Sequence, residues 1–359
     1  MTTILFAPDS FKGSVSAVRA TECLIDGWRE IRPTDTAIAL PMADGGEGTL
    51  DVVASIRPDH TWMTHLVTGP DGRPVEASWL MLSDQTAVIE MARSSGLPLM
   101  NTPDPIGATS FGLGELIAHA LDEGAIRILV ALGGSATSDA GLGALEALGA
   151  TISRANSSAS GACGVVSIDP SGLPNPPKEG ITVLADTREV FIKAPEVFGP
   201  QKGAGDSDVD ALTEAFAHLV TLSPTPHVDK MPGSGAAGGC AWALAAFMRG
   251  VIIEGSRYLG NMLGAGRLLP DVDLVVTGEG RLDPTSTKGK VVGYLYHLAT
   301  AQSVPGAVVA GVCDQPEVVS WPVLTLTELA SAHEDPIHDS EELLRRAGAQ
   351  LAREFSERN

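Results

Sequence analysis

Asp44 and Glu47 stand among three glycines in the run Pro-Met-Ala-Asp-Gly-Gly-Glu-Gly-Thr at residues 41–49. Glycines let a chain turn sharply and bring its amides close to a ligand. A helix start beyond them presents unpaired N–H groups to an anion. Two carboxylates repel a bare phosphate, so the pair better suits a metal–phosphate, or a hydroxyl that must lose a proton. The plain structural alternative is an acidic first helical turn stabilised by the helix dipole.

Other stretches offer related chemistry. Asp9, Ser10 and Lys12 set a carboxylate, a hydroxyl and an ammonium side by side. A lysine there suits phosphate or a substrate carboxylate, unless the turn is merely solvated, with Ser14 capping the next helix. Gly133-Gly134-Ser135-Ala136-Thr137 follows an apolar run and can cradle phosphates with amides and hydroxyls. It lacks the Gly-Lys-Ser/Thr of a P-loop, and Ser138 or Asp139 could instead be a helix cap. Residues 233–239, including Gly235, Gly238 and Gly239, fit close approach to a nucleotide or close helix packing equally well. Lys202 lies in a Gly-Pro-Gln-Lys-Gly turn, Asp186 ends an apolar run, and residues 277–283 read as a polar turn after a strand. The eight histidines form no cluster, and no Ser/His/Asp order stands out.

The elements that must carry these residues alternate strand and helix. Residues 4–7 read as a strand, followed by a helix with Ala17, Ala20, Leu24, Ile25 and Trp28 inward; residues 37–40 repeat the pattern before the 41–49 turn. That alternation predicts a doubly wound parallel sheet, with Asp9 and Asp44 at strand carboxyl ends, the edge that binds ligands. Residues 62–81 read as an antiparallel ribbon turning at 69–72, continued by 88–91. Helices at 109–121, 140–148 and 209–220 and strands at 126–132 and 181–184 follow, with a loop over 152–178. The parallel pattern resumes with strands at 274–276, 307–312 and 323–326 and helices at 291–301 and 340–356. Two strands in front and three behind imply one sheet interrupted by an insertion: residues 1–60 and 254–359 form one α/β domain, 61–253 the inserted one, with the active site in the interdomain cleft.

Composition narrows the partners. The chain has 359 residues, 44% apolar, and a formal charge of −20, which disfavours nucleic acid and anionic membrane surfaces. Cys23, Cys163, Cys240 and Cys313 have no paired spacing, as expected for a reducing cytoplasm. No apolar run reaches membrane-spanning length and no signal peptide is read. Together these features point to phosphate chemistry in a metal-dependent enzyme acting on small molecules.

Six motifs in order carry a resemblance: Ala-Pro-Asp-Ser-Phe-Lys-Gly (7–13), the 41–49 run, Gly-Gly-Ser-Ala-Thr (133–137), Phe-Gly-Pro-Gln-Lys-Gly (198–203), Gly-Ala-Ala-Gly-Gly (235–239) and Thr-Gly-Glu-Gly-Arg-Leu-Asp (277–283). The chain resembles the bacterial type I glycerate kinases along nearly its whole length. That resemblance implies ATP-dependent, Mg²⁺-assisted phosphorylation of D-glycerate, most simply to 2-phosphoglycerate. It also implies a flavodoxin-like domain with an inserted α/β domain, and a homodimer is compatible with it. The sequence departs from the family at Ser138 (usually Asn), Ala185 (usually Cys), Glu189-Val190 (usually Asn-Pro), Thr285 (usually Gln) and Ser286 (usually Thr), while Asp186 and Lys290 match.

Phosphoryl transfer depends on charge neutralisation and in-line positioning, and the residues divide accordingly. Asp186 or Asp44 takes the hydroxyl proton, and Lys12 or Lys202 neutralises phosphate or carboxylate. Asp9, Ser10, Gly45, Gly46 and Asp283 bind substrate. Gly133, Gly134, Ser135, Thr137, Gly235, Gly238, Gly239, Gly278 and Lys290 hold the nucleotide, and Glu47 and Asp283 face the metal. Rival expectations are a kinase for another small hydroxy acid and a non-catalytic sensor of sugar acids.

Overall fold

The computed structural model describes residues 2–155 and 161–358. The chain divides into two compact units. The first comprises Met1–Asp44, Asp51–Ile56 and Ser256–Asn359, the second Gly45–Leu50 and Arg57–Gly255.

In the first unit, five strands form one all-parallel sheet. Its order is Val323–Thr325, Gly306–Cys313, Leu274–Leu282, Thr3–Phe6, Thr36–Ala39. The two front strands and three rear strands thus share one sheet. Between Thr3–Phe6 and Leu274–Leu282 the connections leave in opposite directions, which opens a crevice at the strand carboxyl ends. Helices Ala17–Ile31 and Ser340–Arg358 cover one face. They approach closely because a Cβ on Gly27 would lie 1.7 Å from Arg345 O, and one on Gly348 2.2 Å from Leu24 O. Trp28 fills the space beneath them, edge-on to Phe6 at 5.7 Å. Ser16, not Ser14, caps the first helix: its Oγ accepts Arg19 N–H at 3.2 Å, while Ser14 Oγ donates to Phe11 O within its own turn. The expected polar turn at 277–283 is instead mostly strand, since Leu274–Leu282 runs on beside Gly306–Cys313 to Cys313. Gly278 and Gly280 permit this, because a Cβ on Gly278 would meet Val309 O at 2.3 Å.

The second unit holds a six-stranded mixed sheet ordered Val251–Glu254, Ile181–Ala185, Arg127–Ala131, Thr86–Glu90, Pro74–Leu82, His60–Thr68. The first four strands are parallel, and the last two form the expected antiparallel ribbon. Phe111–Asp122, Leu142–Ala147 and Cys240–Met248 bury apolar faces in its core. Phe191 stacks between Phe216 and Trp242, each 4.4 Å away between ring centroids. The expected loop over 152–178 contains a two-stranded antiparallel ribbon, Thr151–Arg154 with Val165–Asp169; residues 156–160 lie outside the described residues. Its Ser- and Gly-rich composition hid strands only four and five residues long. Among the described residues no helix is long and apolar enough to cross a membrane.

Candidate functional site

Chemistry gathers in two clusters, one in each unit. In the first unit, the chain leaving Thr3–Phe6 stays clamped to the neighbouring strand. Ala7 N–H donates to Val276 O at 2.8 Å and Asp9 N–H to Gly278 O at 2.9 Å. This delivers Asp9, Ser10 and Lys12 to a cavity of about 370 Å³ that is also lined by Asp44, Glu279 and Lys290. Val312, Leu326, Pro336 and Ile337 give the same cavity an apolar wall. Sequence reading placed four of these polar residues in the site and assigned Lys290 to the nucleotide; Glu279 had no role.

Burial governs the acids here. It pushes the Asp9 carboxyl well above its usual range; Asp44 and Glu279 push the same way, against the Ser10 N–H and Lys12. Asp9 Oδ1 accepts that Ser10 N–H at 2.7 Å. Burial likewise raises Glu279, with Lys290 and the Ser286 hydroxyl opposing and Asp283 and Asp44 adding to the rise. Lys290 Nζ lies 3.6 Å from Glu279 Oε2, while Glu279 Oε1 is buried with no hydrogen-bond partner. Asp283 behaves differently. Burial would raise it, but the Thr285 hydroxyl and N–H, at 2.6 and 2.7 Å from Oδ1, hold it below its usual value. The Thr285 hydroxyl and N–H thus favour the carboxylate form of Asp283.

The second cluster centres on the loop after Arg127–Ala131. Gly133 N–H donates to Gly45 O at 3.1 Å. A Cβ on Gly133 would lie 2.4 Å from Gly46 Cα and 2.9 Å from Asp186 Oδ2, so this position admits only glycine. Gly45, Gly46, Gly133 and Asp186 are thus brought together. Lys202 is not a solvated turn residue. It is buried, and its Nζ donates to Ser135 Oγ at 2.9 Å and to Thr137 O at 2.5 Å. Burial lowers its pKa to about 8, with Cys240, Asp139 and Asp186 pulling it back up. Thr137 Oγ1 donates to Ala108 O at 2.7 Å. Gly134 is exposed with φ +80°, and Glu47 is exposed.

Gly235, Gly238 and Gly239 answer to packing. A Cβ would meet Val190 O at 2.7 Å, Thr137 O at 2.1 Å and the Phe191 ring at 2.7 Å respectively. Gly238 O accepts Ala140 N–H at 2.9 Å, which locks this turn to the 133–140 segment.

Of two buried acids in the second unit, Glu90 had no role in the sequence reading, and Asp139 was read only as a possible helix cap. Asp139, 1% exposed, accepts Ser110 N–H and Ser110 Oγ–H, both at 2.8 Å, Gly141 N–H at 2.9 Å and Gly143 N–H at 3.2 Å. Glu90 accepts Leu50 N–H at 3.2 Å, with Arg93 Nε 3.7 Å from its other oxygen. A polar run directly after an apolar strand, Glu-Met-Ala-Arg-Ser-Ser-Gly at 90–96, was the available signal for Glu90.

Magnesium asks little of a protein: it keeps several waters and takes one or two carboxylates plus substrate phosphates. Among the described residues no three His, Cys, Asp or Glu side chains form a metal cage. Asp283 does not line the cavity, but a carboxylate whose pKa is held down, with Oδ1 bound to Thr285, fits that modest demand.

Acids in one cluster and an amide-rich, lysine-braced loop in the other make an α/β chain equipped for phosphotransfer to a small molecule. The profile of the glycerate kinase family matches residues 4–356, and the chain belongs to that family. It is 39% identical over 326 residues to the glycerate 2-kinase of Escherichia coli strain K12, covering 86% of this chain and 84% of that one. It is 36% identical over 323 residues to the glycerate kinase of Bacillus subtilis strain 168, covering 86% and 84%. The crystal structure of a putative glycerate kinase 2 from Salmonella typhimurium LT2 superposes with a TM-score of 0.79 at 33% identity, covering 99% of this chain and 98% of that one.

Proposed function

We propose that this protein is an ATP-dependent glycerate kinase that phosphorylates D-glycerate to 2-phosphoglycerate in a reducing cytoplasm. The observation that carries the reading is the extent of the family match: residues 4–356 contain both clusters. Taken in sequence order, the first unit's strands lie second, first, third, fourth, fifth across its sheet, which supports a flavodoxin-like reading.

In this reading the motif residues of each unit take the following roles. Lys12, Lys290 and Arg281 supply positive charge to a cavity also lined by Asp9, Asp44 and Glu279, for the carboxylate of glycerate or for phosphate. Asp9 and Ser10 orient the hydroxyls, and the amides of Gly45, Gly46, Gly133 and Gly134 face phosphate oxygens. Lys202 braces Ser135 and Thr137. Asp44 and Asp186 are the motif carboxylates available to the reacting hydroxyl. Bound Mg²⁺ would neutralise charge on the transferring phosphoryl group, with Asp283 and Glu47 the residues to hold it, directly or through water.

A coupled ADP-release assay with D-glycerate, L-glycerate and glycolate, with and without Mg²⁺, tests the reading. Mg²⁺-dependent turnover with D-glycerate is expected, with the product's phosphate position read by NMR. Preference for another hydroxy acid would move the substrate; tight binding without turnover would make the protein a sensor. Asp186→Asn is expected to lower kcat by about 10²–10⁴-fold with unchanged melting; near-normal turnover would remove Asp186 from the chemistry.

A further inference from the structure

Glu279 is the cavity acid whose environment leaves something undone. It lies within strand Leu274–Leu282, is 6% exposed, and lines the same cavity as Asp9, Lys12, Asp44 and Lys290. Lys290 stands 3.6 Å from Oε2, yet the buried Oε1 has no hydrogen-bond partner. A buried carboxylate oxygen without a donor is destabilising, and such groups persist where a ligand completes them. Asp9 differs, because its Oδ1 already receives the Ser10 N–H. Asp283 likewise has its Oδ1 occupied by Thr285.

We propose that Glu279, in place of Asp44 or Asp186, is the proton acceptor of the kinase, its Oε1 accepting the hydrogen bond of the substrate hydroxyl and removing the proton as that oxygen attacks. Asp44 and Asp186 then orient the substrate without taking its proton. The inference rests on the glycerate kinase reading above. The hydroxyl O–H bond breaks with its proton passing to Glu279, and the oxygen forms a bond to the γ-phosphorus. The bond from that phosphorus to the β,γ-bridging oxygen breaks, and ADP leaves with the electron pair. Glu279 then returns the proton to solvent. A general base works best when its affinity for protons approaches the working pH. Burial moves Glu279 in that direction, with Asp283 and Asp44 reinforcing it, while Lys290 and the Ser286 hydroxyl keep the ionised form accessible. Asp9, Lys12 and Arg281 are the other charged groups lining the cavity.

The test is the steady-state kinetics of the wild-type protein and Glu279→Gln with D-glycerate and MgATP from pH 4.5 to 9. Wild-type kcat/KM should fall on the acid side with a midpoint above that of a solvated glutamate, about 4.3. Glu279→Gln should lose at least ~100-fold in kcat, keep its KM for ATP, and lose that acid limb. Glu279→Asp should keep the limb at reduced kcat. A Glu279→Gln kcat within a few-fold of wild type overturns the assignment, as does an acid limb that survives in it. Should Glu279→Gln fail to melt cooperatively, the wild-type profile decides, and a flat acid side overturns the proposal. Wild-type protein inactive towards D-glycerate would instead end the kinase reading itself, a result distinct from an active Glu279→Gln.

Discussion

Asp139 in the second unit and Glu279 in the first are both buried carboxylates, and their surroundings are opposite. Asp139 receives four donors, all from its own unit; Glu279 Oε1 receives none. The same contrast extends to their neighbours. Lys202 directs Nζ at Ser135 and Thr137, whereas Asp9 and Glu279 sit in a cavity with pKa values raised by burial. A satisfied polar cluster holds a loop in shape before any ligand arrives. An unsatisfied one keeps its interactions in reserve for the ligand. On the proposed function, the buried network around Asp139 and Lys202 would serve as scaffold and the first unit's cavity would receive ligand, so substitutions should separate stability from activity along that line.

Asp139→Ala should have the largest effect. It strands three N–H groups and the Ser110 hydroxyl in a buried site, costing about 3–5 kcal/mol. Thermal melting should fall by roughly 10 °C, and activity should be lost together with structure. A stable, well-folded Asp139→Ala would mean the donors find other partners, and the scaffold reading would fail.

Glycines sharpen the contrast next. Gly133→Ala drives a Cβ to 2.4 Å from Gly46 Cα, a backbone clash expected to cost about 2–3 kcal/mol. Gly13 in the first unit has φ +80° and nothing within 4 Å of its would-be Cβ. Gly13→Ala should therefore cost only the left-handed strain, about 1 kcal/mol. Equal losses in urea melts would show that the 133–137 loop is not held as tightly as its geometry states.

Much of this was legible before the structure. The first unit's parallel sheet followed from apolar runs ending in polar turns, and the 62–81 ribbon from its Gly-Pro-Asp-Gly turn. The 41–49 and 133–137 glycine runs were read as loops that approach a ligand; within the chain, a Cβ on Gly45 would meet Leu184 O at 3.1 Å and one on Gly133 would meet Gly46 Cα at 2.4 Å. What escaped depends on partners remote in sequence. Asp139 reads as a helix cap because its Ser110 donors lie 29 residues earlier. Glu279 was placed in a turn because Gly278 and Gly280 look like turn residues. They are in fact strand positions where Val309 O and Lys12 N crowd any side chain, at 2.3 and 3.3 Å. Lys202 was expected to neutralise phosphate or carboxylate, and no local pattern announces that its ammonium will be buried against Ser135 and Thr137.

Asp9→Asn should act in the opposite sense to Asp139→Ala. It removes a carboxylate that burial, Asp44 and Glu279 all disfavour, so stability at pH 8 should rise by about 1 kcal/mol, roughly 2–4 °C. Activity should collapse, the trade expected where a site is kept strained for function. Loss of both stability and activity would make Asp9 a scaffold residue like Asp139.

The smallest effect is a slope of stability against pH. Asp9 and Glu279 have raised folded-state pKa values, so the folded chain binds protons that the unfolded chain releases. Their stabilising contribution is complete below the ordinary carboxylate range and is lost as pH rises through the raised values. Lys202 is lowered from 10.5 to about 8, so between those values the unfolded chain binds the extra proton. Its penalty is present below pH 8 and is relieved as pH rises towards 10.5. Urea melts of wild type and Lys202→Met should therefore diverge above pH 8, wild type gaining about 1 kcal/mol per pH unit relative to the variant. Parallel curves would mean that Lys202 stays charged throughout, its ammonium stabilised by Cys240, Asp139 and Asp186 more than burial opposes it. The second unit's cluster would then be an ionic network rather than a neutral brace, and its contrast with the first unit's cavity would rest on hydrogen bonds alone.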